Sequence, residues 1–147
     1  MDLPLLAPVR QTLQQPVVTD LVGEVRRQWQ HSSLARRVQR GDRVLVGVGS
    51  RGIANIAVIV RATLDVLRDL GAQPAIVAAM GSHGGATPQG QRELLAGYGV
   101  SEEALGVPVL TDMATVQIGV NSAGEPVWWD KNAYEADAVV TLSRVKP

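Results

Sequence analysis

Two apolar, β-branched runs, Arg43-Val44-Leu45-Val46-Gly47-Val48 and Pro74 to Ala79, each break into a loop of small and polar residues and then into a helical pattern. No other feature constrains the chain as strongly. A near-continuous apolar run of this length reads as a strand buried on both faces. Strand, short loop, helix and second strand in succession imply parallel pairing through right-handed crossovers. Asn55 to Leu70 carries Ile56, Ile59, Val60, Thr63, Leu64, Leu67 and Leu70 at helical spacing and stops at Gly71, a residue suited to the left-handed position after a helix. Thr87-Pro88 caps and opens a further helix that runs to about Gly97.

The flanking segments are shorter and less regular. Pro4, Pro8 and Pro16 punctuate residues 1 to 18 and suit an extended arm or edge strand. Thr19 and Asp20 offer a cap for a helix over Leu21 to Gln30, and a second short helix is expected over Ser33 to Val38. Val107 to Leu110 reads as a short strand. Thr115 to Ile118 and Glu125 to Trp129 read as a hairpin around Asn121-Ser122-Ala123-Gly124, and Asp137 to Leu142 as a final apolar strand. Trp128 and Trp129 alternate faces, which predicts one in the core and the other exposed or at an interface. The expected architecture is α/β, with a mainly parallel, open, Rossmann-like sheet, helices on both faces and a small β-hairpin. At 147 residues the chain fits a single domain that buries roughly 68–70% of its unfolded surface.

Composition excludes several kinds of chemistry. The chain has no Cys, which removes disulfides, zinc knuckles, iron–sulfur clusters and thiol nucleophiles together. His31 and His83 are its two imidazoles, too few for a three-ligand nitrogen site from this chain alone, so no metal ligand is expected in it. Fourteen basic and fourteen acidic residues balance, which argues against nucleic acid as a partner because that affinity comes from neutralised phosphates. Arg26, Arg27, Arg36, Arg37, Arg40 and Arg43 cluster without aromatic stacking residues and read as the wet side of a helical hairpin. No segment approaches the ~20 apolar residues of a membrane span, and the amino terminus lacks a basic and then apolar leader. A cytoplasmic location without membrane association is the expectation, and self-association is left open.

Three loops follow the carboxyl ends of the expected strands, where open α/β sheets bind ligands. The first, Gly47-Val48-Gly49-Ser50-Arg51-Gly52, satisfies the dinucleotide-binding glycine pattern between a strand and a helix. That reading needs an acidic residue at the end of the second strand for the ribose hydroxyls, and the position holds Met80-Gly81-Ser82-His83 instead. The glycines still let backbone amides at a helix amino terminus face an anion. Arg51 adds a forked, permanently charged donor set suited to a carboxylate or phosphate, or else pairs with a surface acid. In the second loop, Gly81 to Pro88, His83 is flanked by glycine and serine and fits neither helix nor strand packing. Imidazole is the side chain suited to taking or giving a proton at cellular pH, although a loop histidine can also simply bond backbone. The third loop, Ser143-Arg144-Val145-Lys146-Pro147, brings two more cations to the same edge. Neither Ser50 nor Ser82 lies in a nucleophile elbow, which disfavours a serine hydrolase. His31 reads as a solvated helix end.

The stretches Gly49-Ser50-Arg51-Gly52-Ile53-Ala54-Asn55 and Ala79 to Gln91, together with Asp130 to Asp137 and the closing Arg-Val-Lys-Pro, resemble the amino-terminal domain of the lactate racemase family. Members are two-domain enzymes that use a nickel-pincer nucleotide to racemise or epimerise 2-hydroxy acids. The resemblance implies that His83 is a catalytic proton acceptor and that Arg51 grips the substrate carboxylate. It places Gly49, Ser50, Gly52, Ser82, Gly84 and Lys146 beside the cofactor. A second catalytic histidine, the tethering lysine and the nickel ligand would belong to segments beyond Pro147 and to a carboxyl-terminal domain. The 147 residues are then expected to be the first half of such an enzyme, inactive and without cofactor by themselves. Two departures point away from lactate and toward a larger or differently charged 2-hydroxy acid. Val48 stands where lactate racemases carry an acid three positions before the arginine, and Gly84-Gly85 stands where they carry Arg-Pro.

Two other functions fit the same loops. One is an NAD-type nucleotide-binding dehydrogenase domain, built on the glycine pattern. The other is a non-catalytic module that binds an anionic ligand at the cationic rim.

Overall fold

The computed structural model describes residues 9–10, 17–50 and 52–144. Helix α1 (Leu21–His31) begins where the Asp20 carboxylate accepts the Gly23 amide at 2.9 Å. Strand β1 (Arg43–Val48), helix α2 (Ile56–Asp69) and strand β2 (Gln73–Ala78) form the first crossover unit. Helix α3 (Pro88–Gly97), the single-turn helix α4 (Glu102–Leu105) and strand β3 (Val109–Leu110) form the second. A hairpin of β4 (Thr115–Val120) and β5 (Pro126–Asp130), the single-turn α5 (Lys131–Tyr134) and strand β6 (Ala138–Leu142) complete the chain.

The fold is α/β: a four-stranded sheet in the order β3-β2-β1-β6, parallel throughout and flanked by helices, with a separate antiparallel hairpin. β1 is central, pairing Val46 with Ile76 on one side and Val140 on the other. A central strand must be apolar on both faces, which explains the unbroken run that the sequence shows. Val44, Val46 and Val48 are fully buried, and Leu45, pointing the other way, is 2% exposed. Val44, Val46, Val48 and Ile76 share one core with Val60, Leu64 and Leu67 of α2, Leu95 of α3 and Trp29 of α1. Each such side chain contributes about 1.5–3 kcal/mol by leaving water.

Several expectations are corrected. Ser33 to Val38 forms bends and one turn, with the Arg37 amide on the Leu34 carbonyl at 2.9 Å, rather than a helix. The Ser32 hydroxyl terminates α1 by donating to the Trp29 carbonyl and also accepts the Leu34 amide; what remains is too short to repay helix nucleation. Trp128 and Trp129 are both exposed, at 56% and 47%, because the hairpin stands apart from the main sheet instead of laying one face on it. The hairpin strands run to Val120 and from Pro126, with a register irregularity between Gln117 and Gly119. The strand expected from Val107 begins at Val109. α4 and α5 went unanticipated because one turn shows no period, although Ser101 and Asp130 cap them on the amides of Ala104 and Ala133. The Pro-punctuated arm lies almost wholly outside the described residues. Among the described residues no helix is long and apolar enough to cross a membrane.

Candidate functional site

The parallel order places the ends of β2, β1 and β6 side by side. The Ala79 amide donates to the Val48 carbonyl at 3.0 Å, and the Gly49 amide to the Leu142 carbonyl at 3.4 Å, so the three loops diverge from one ridge. Beside that ridge Gly49, Ser50, Gly52, Ile53, Ile56 and Tyr98 line a hollow of about 290 Å³. Its walls are backbone, aliphatic carbon and one phenol ring, with the start of α2 at its edge. Asn55 precedes α2 in the left-handed conformation, and its side chain makes no cap on the helix's first amides, unlike that of Asp20 on α1.

His83 meets this wall. Its Nδ1 is hydrogen-bonded to the Ser50 hydroxyl. Ser50 is 7% exposed and the histidine half-buried, so the contact is shielded on the serine side and open on the other. Thirty-three positions separate the two residues, and the β1–β2 pairing alone brings them together.

The histidine loop is held from beneath. Gln91, only 5% exposed, donates its side-chain amide to the Gly81 carbonyl at 2.8 Å. The His83 amide returns to the Met80 carbonyl at 3.2 Å, and the Ala86 amide to the Ser82 carbonyl at 3.0 Å. Thr87 accepts the Gly90 amide as the cap of α3 and donates to the Gly84 carbonyl at 3.0 Å. Gln91 and Thr87 are supporting residues that motif reasoning passed over. For Gln91 the signal was available: a polar residue one turn before Leu95 on the inward face of α3.

The other expected residues distribute as follows. Gly49 and Gly52 line the hollow. Gly52 takes a φ of +71°, and the Arg144 guanidinium lies over it, with Nη1 2.8 Å from where a Cβ would stand. Gly84, at φ +65°, is pressed against α3, where a Cβ would come within 2.5 Å of the Gln91 nitrogen. Ser82 is exposed on the loop before it. Arg51 and Lys146 lie outside the described residues. Both neighbours of Arg51 in the chain stand on the wall of the hollow. The end of β2 carries Ala79 and the buried Met80, and so offers no carboxylate to a ribose. His31, its ring nitrogen against the Arg27 carbonyl at 2.7 Å, closes α1 far along the chain from these loops.

A parallel α/β sheet whose polar loops leave the carboxyl ends of adjacent strands, with an imidazole in the loop after β2, defines a Rossmann-like domain with a candidate site at the customary ligand edge. No family model matches the chain, and no curated protein matches it.

Proposed function

We propose that this domain is the amino-terminal half of a 2-hydroxyacid racemase or epimerase similar to the lactate racemase family. The carrying observation is that the His83 imidazole stands on Ser50 at the wall of a hollow, with one ring nitrogen turned away from the serine. That is the arrangement expected of a base that removes the proton from a substrate hydroxyl. Arg51, by the resemblance, holds the substrate carboxylate through paired hydrogen bonds. Arg144, lying over Gly52, adds a second positive charge to the same rim.

Among the described residues no three His, Cys, Asp or Glu side chains gather, so nickel would take its ligands from elsewhere. The hollow itself suits the rest of a nickel-pincer nucleotide. Gly49 and Gly52 line it, Arg144 over Gly52 brings positive charge to it, and the edge of α2 favours negative charge. When bound, such a nucleotide supplies the acceptor for the hydrogen on the substrate's alpha carbon. His83 would hold the hydroxyl proton on one face, and the second histidine that the resemblance places beyond Pro147 would serve the other.

The experiment is hydrogen–deuterium exchange at the alpha carbon of 2-hydroxybutyrate, malate and mandelate in deuterated water, using the complete protein. Exchange is expected for at least one acid and is lost in His83→Ala while the protein stays folded. Undiminished exchange in that variant would show that His83 serves only the loop.

A further inference from the structure

Ser50 lines the hollow, and its hydroxyl meets the histidine. From that contact we infer that Ser50 is the positioning residue that sets the tautomer of His83. The inference rests on the reading of His83 as a proton acceptor and adds the means by which the ring is made ready for it.

A neutral imidazole has one N–H and one lone pair, and only the nitrogen carrying the lone pair can take a proton. In solution the Nε2–H form is ordinarily the more populated one, which would leave the wrong nitrogen basic here. The serine oxygen lies on Nδ1. Where it accepts the Nδ1–H, with its own hydrogen given to the hollow that Ser50 lines, it holds the proton on that side and leaves the Nε2 lone pair free for substrate. Once Nε2 is protonated, both ring nitrogens are donors and Nδ1 still gives its hydrogen to the same oxygen. One contact therefore serves the ring before and after proton transfer, as orienting partners of catalytic and metal-binding histidines do.

The surroundings make the serine suitable for this. Ser50 is 7% exposed, so water competes poorly for its oxygen. Among the described residues His83 is the partner of that hydroxyl, and no buried side-chain polar atom is left without one. The loop beneath the ring is pinned by the Gln91 and Thr87 hydrogen bonds. Ring orientation is therefore fixed from two sides: the backbone by α3 and Nδ1 by the loop after β1. Swinging of the ring away from the serine would leave a buried hydroxyl unpaired, at a cost in free energy.

Ring 15N shifts of the complete protein are recorded at about pH 8.5, above the ordinary histidine range, and the His83 signals are assigned by their loss in His83→Gln. The Nδ1–H tautomer is expected to dominate at His83 in the wild type. In Ser50→Ala the population should move toward Nε2–H, and in Ser50→Thr, which keeps the oxygen, it should stay. Ser50→Cys fills the space with a poor acceptor and should behave like alanine, which separates hydrogen bonding from packing. In alpha-hydrogen exchange, Ser50→Ala and Ser50→Cys should lower kcat roughly 10- to 100-fold with little change in KM, and Ser50→Thr should recover most of it. A dominant Nε2–H form in the wild type, or a tautomer indifferent to Ser50→Ala, overturns the assignment. A tautomer that follows Ser50 in a protein with no alpha-hydrogen exchange would instead sustain the positioning role and overturn the racemase reading.

Discussion

Gly84 and Gly90 pack backbone to backbone: a Cβ on Gly90 would overlap the Gly84 carbonyl, with the carbonyl carbon 2.8 Å away. This contact seats the histidine loop on the first turn of α3, and the Thr87 hydroxyl bonds both glycines. Gly90→Ala must push the two backbones apart. We expect a loss of about 1–3 kcal/mol in denaturant unfolding, typical of overpacking, and a shifted His83 resonance. Gly81→Ala is the control: φ is +59° but nothing lies within 4 Å, so only the left-handed penalty of about 1 kcal/mol applies. Equal losses in the two variants would contradict the close-packing account.

Arg144 stands over Gly52 at the mouth of the hollow, and among the described residues no carboxylate pairs with it. Arg144→Gln is expected to raise KM for an anionic substrate roughly tenfold, the effect of about 1.4 kcal/mol lost from a charge-assisted contact, with a smaller change in kcat. A lowered kcat at constant KM would place the guanidinium in the chemical step instead.

Glu102 ties three elements together. It accepts the Val109 amide at 3.0 Å and the Arg92 guanidinium at 3.0 Å, and these bonds, the Val109 amide first, lower its pKa below the ordinary 4.5. On α1, Glu24 is lowered to about 2 by its hydrogen bonds to Arg27 and Gln28. A carboxylate depressed in the folded state stabilises it fully above the unfolded pKa, and the effect fades as pH falls through the folded one. Urea midpoints should therefore decline from about pH 5 downward, and less steeply in Glu102→Gln. An unchanged slope in that variant would show that Glu102 contributes nothing to the acid response.

The dehydrogenase alternative makes a separate claim. A ligand that prefers the native state must raise Tm with its concentration. With Ala79 and buried Met80 at the end of β2, no carboxylate is in place for an adenosine ribose, and NAD at millimolar concentration should leave Tm unmoved. A concentration-dependent rise would favour the nucleotide-binding reading over the racemase.

The elements were legible in proportion to how much of their burial is periodic. The range of β1 and the start of α3 were readable to the residue, since a strand buried on both faces and a Thr-Pro start leave marks that need no partner. The failures share a cause. Trp128 and Trp129 alternate as a half-buried strand should, but alternation says only that two faces differ, not that either is covered. The α4 and α5 turns carry caps without a period, and the Ser33 to Val38 stretch carries helix formers without the length to nucleate.

Of the candidate site, His83 was visible because a histidine among glycines has no packing explanation, and Gly49 and Gly52 because a tight turn needs them. Its contact with Ser50 was not visible, nor was the support from Gln91 and the pressing of Gly84 onto Gly90. Hydrophobic period, proline, glycine and capping residues act within a few positions of themselves, so the amino-acid order alone determined the elements and their approximate ends. Which loops meet depends on strand order, register and the way α3 settles on the sheet. Those are outcomes of packing between segments distant in the chain, and only the tertiary structure decided them.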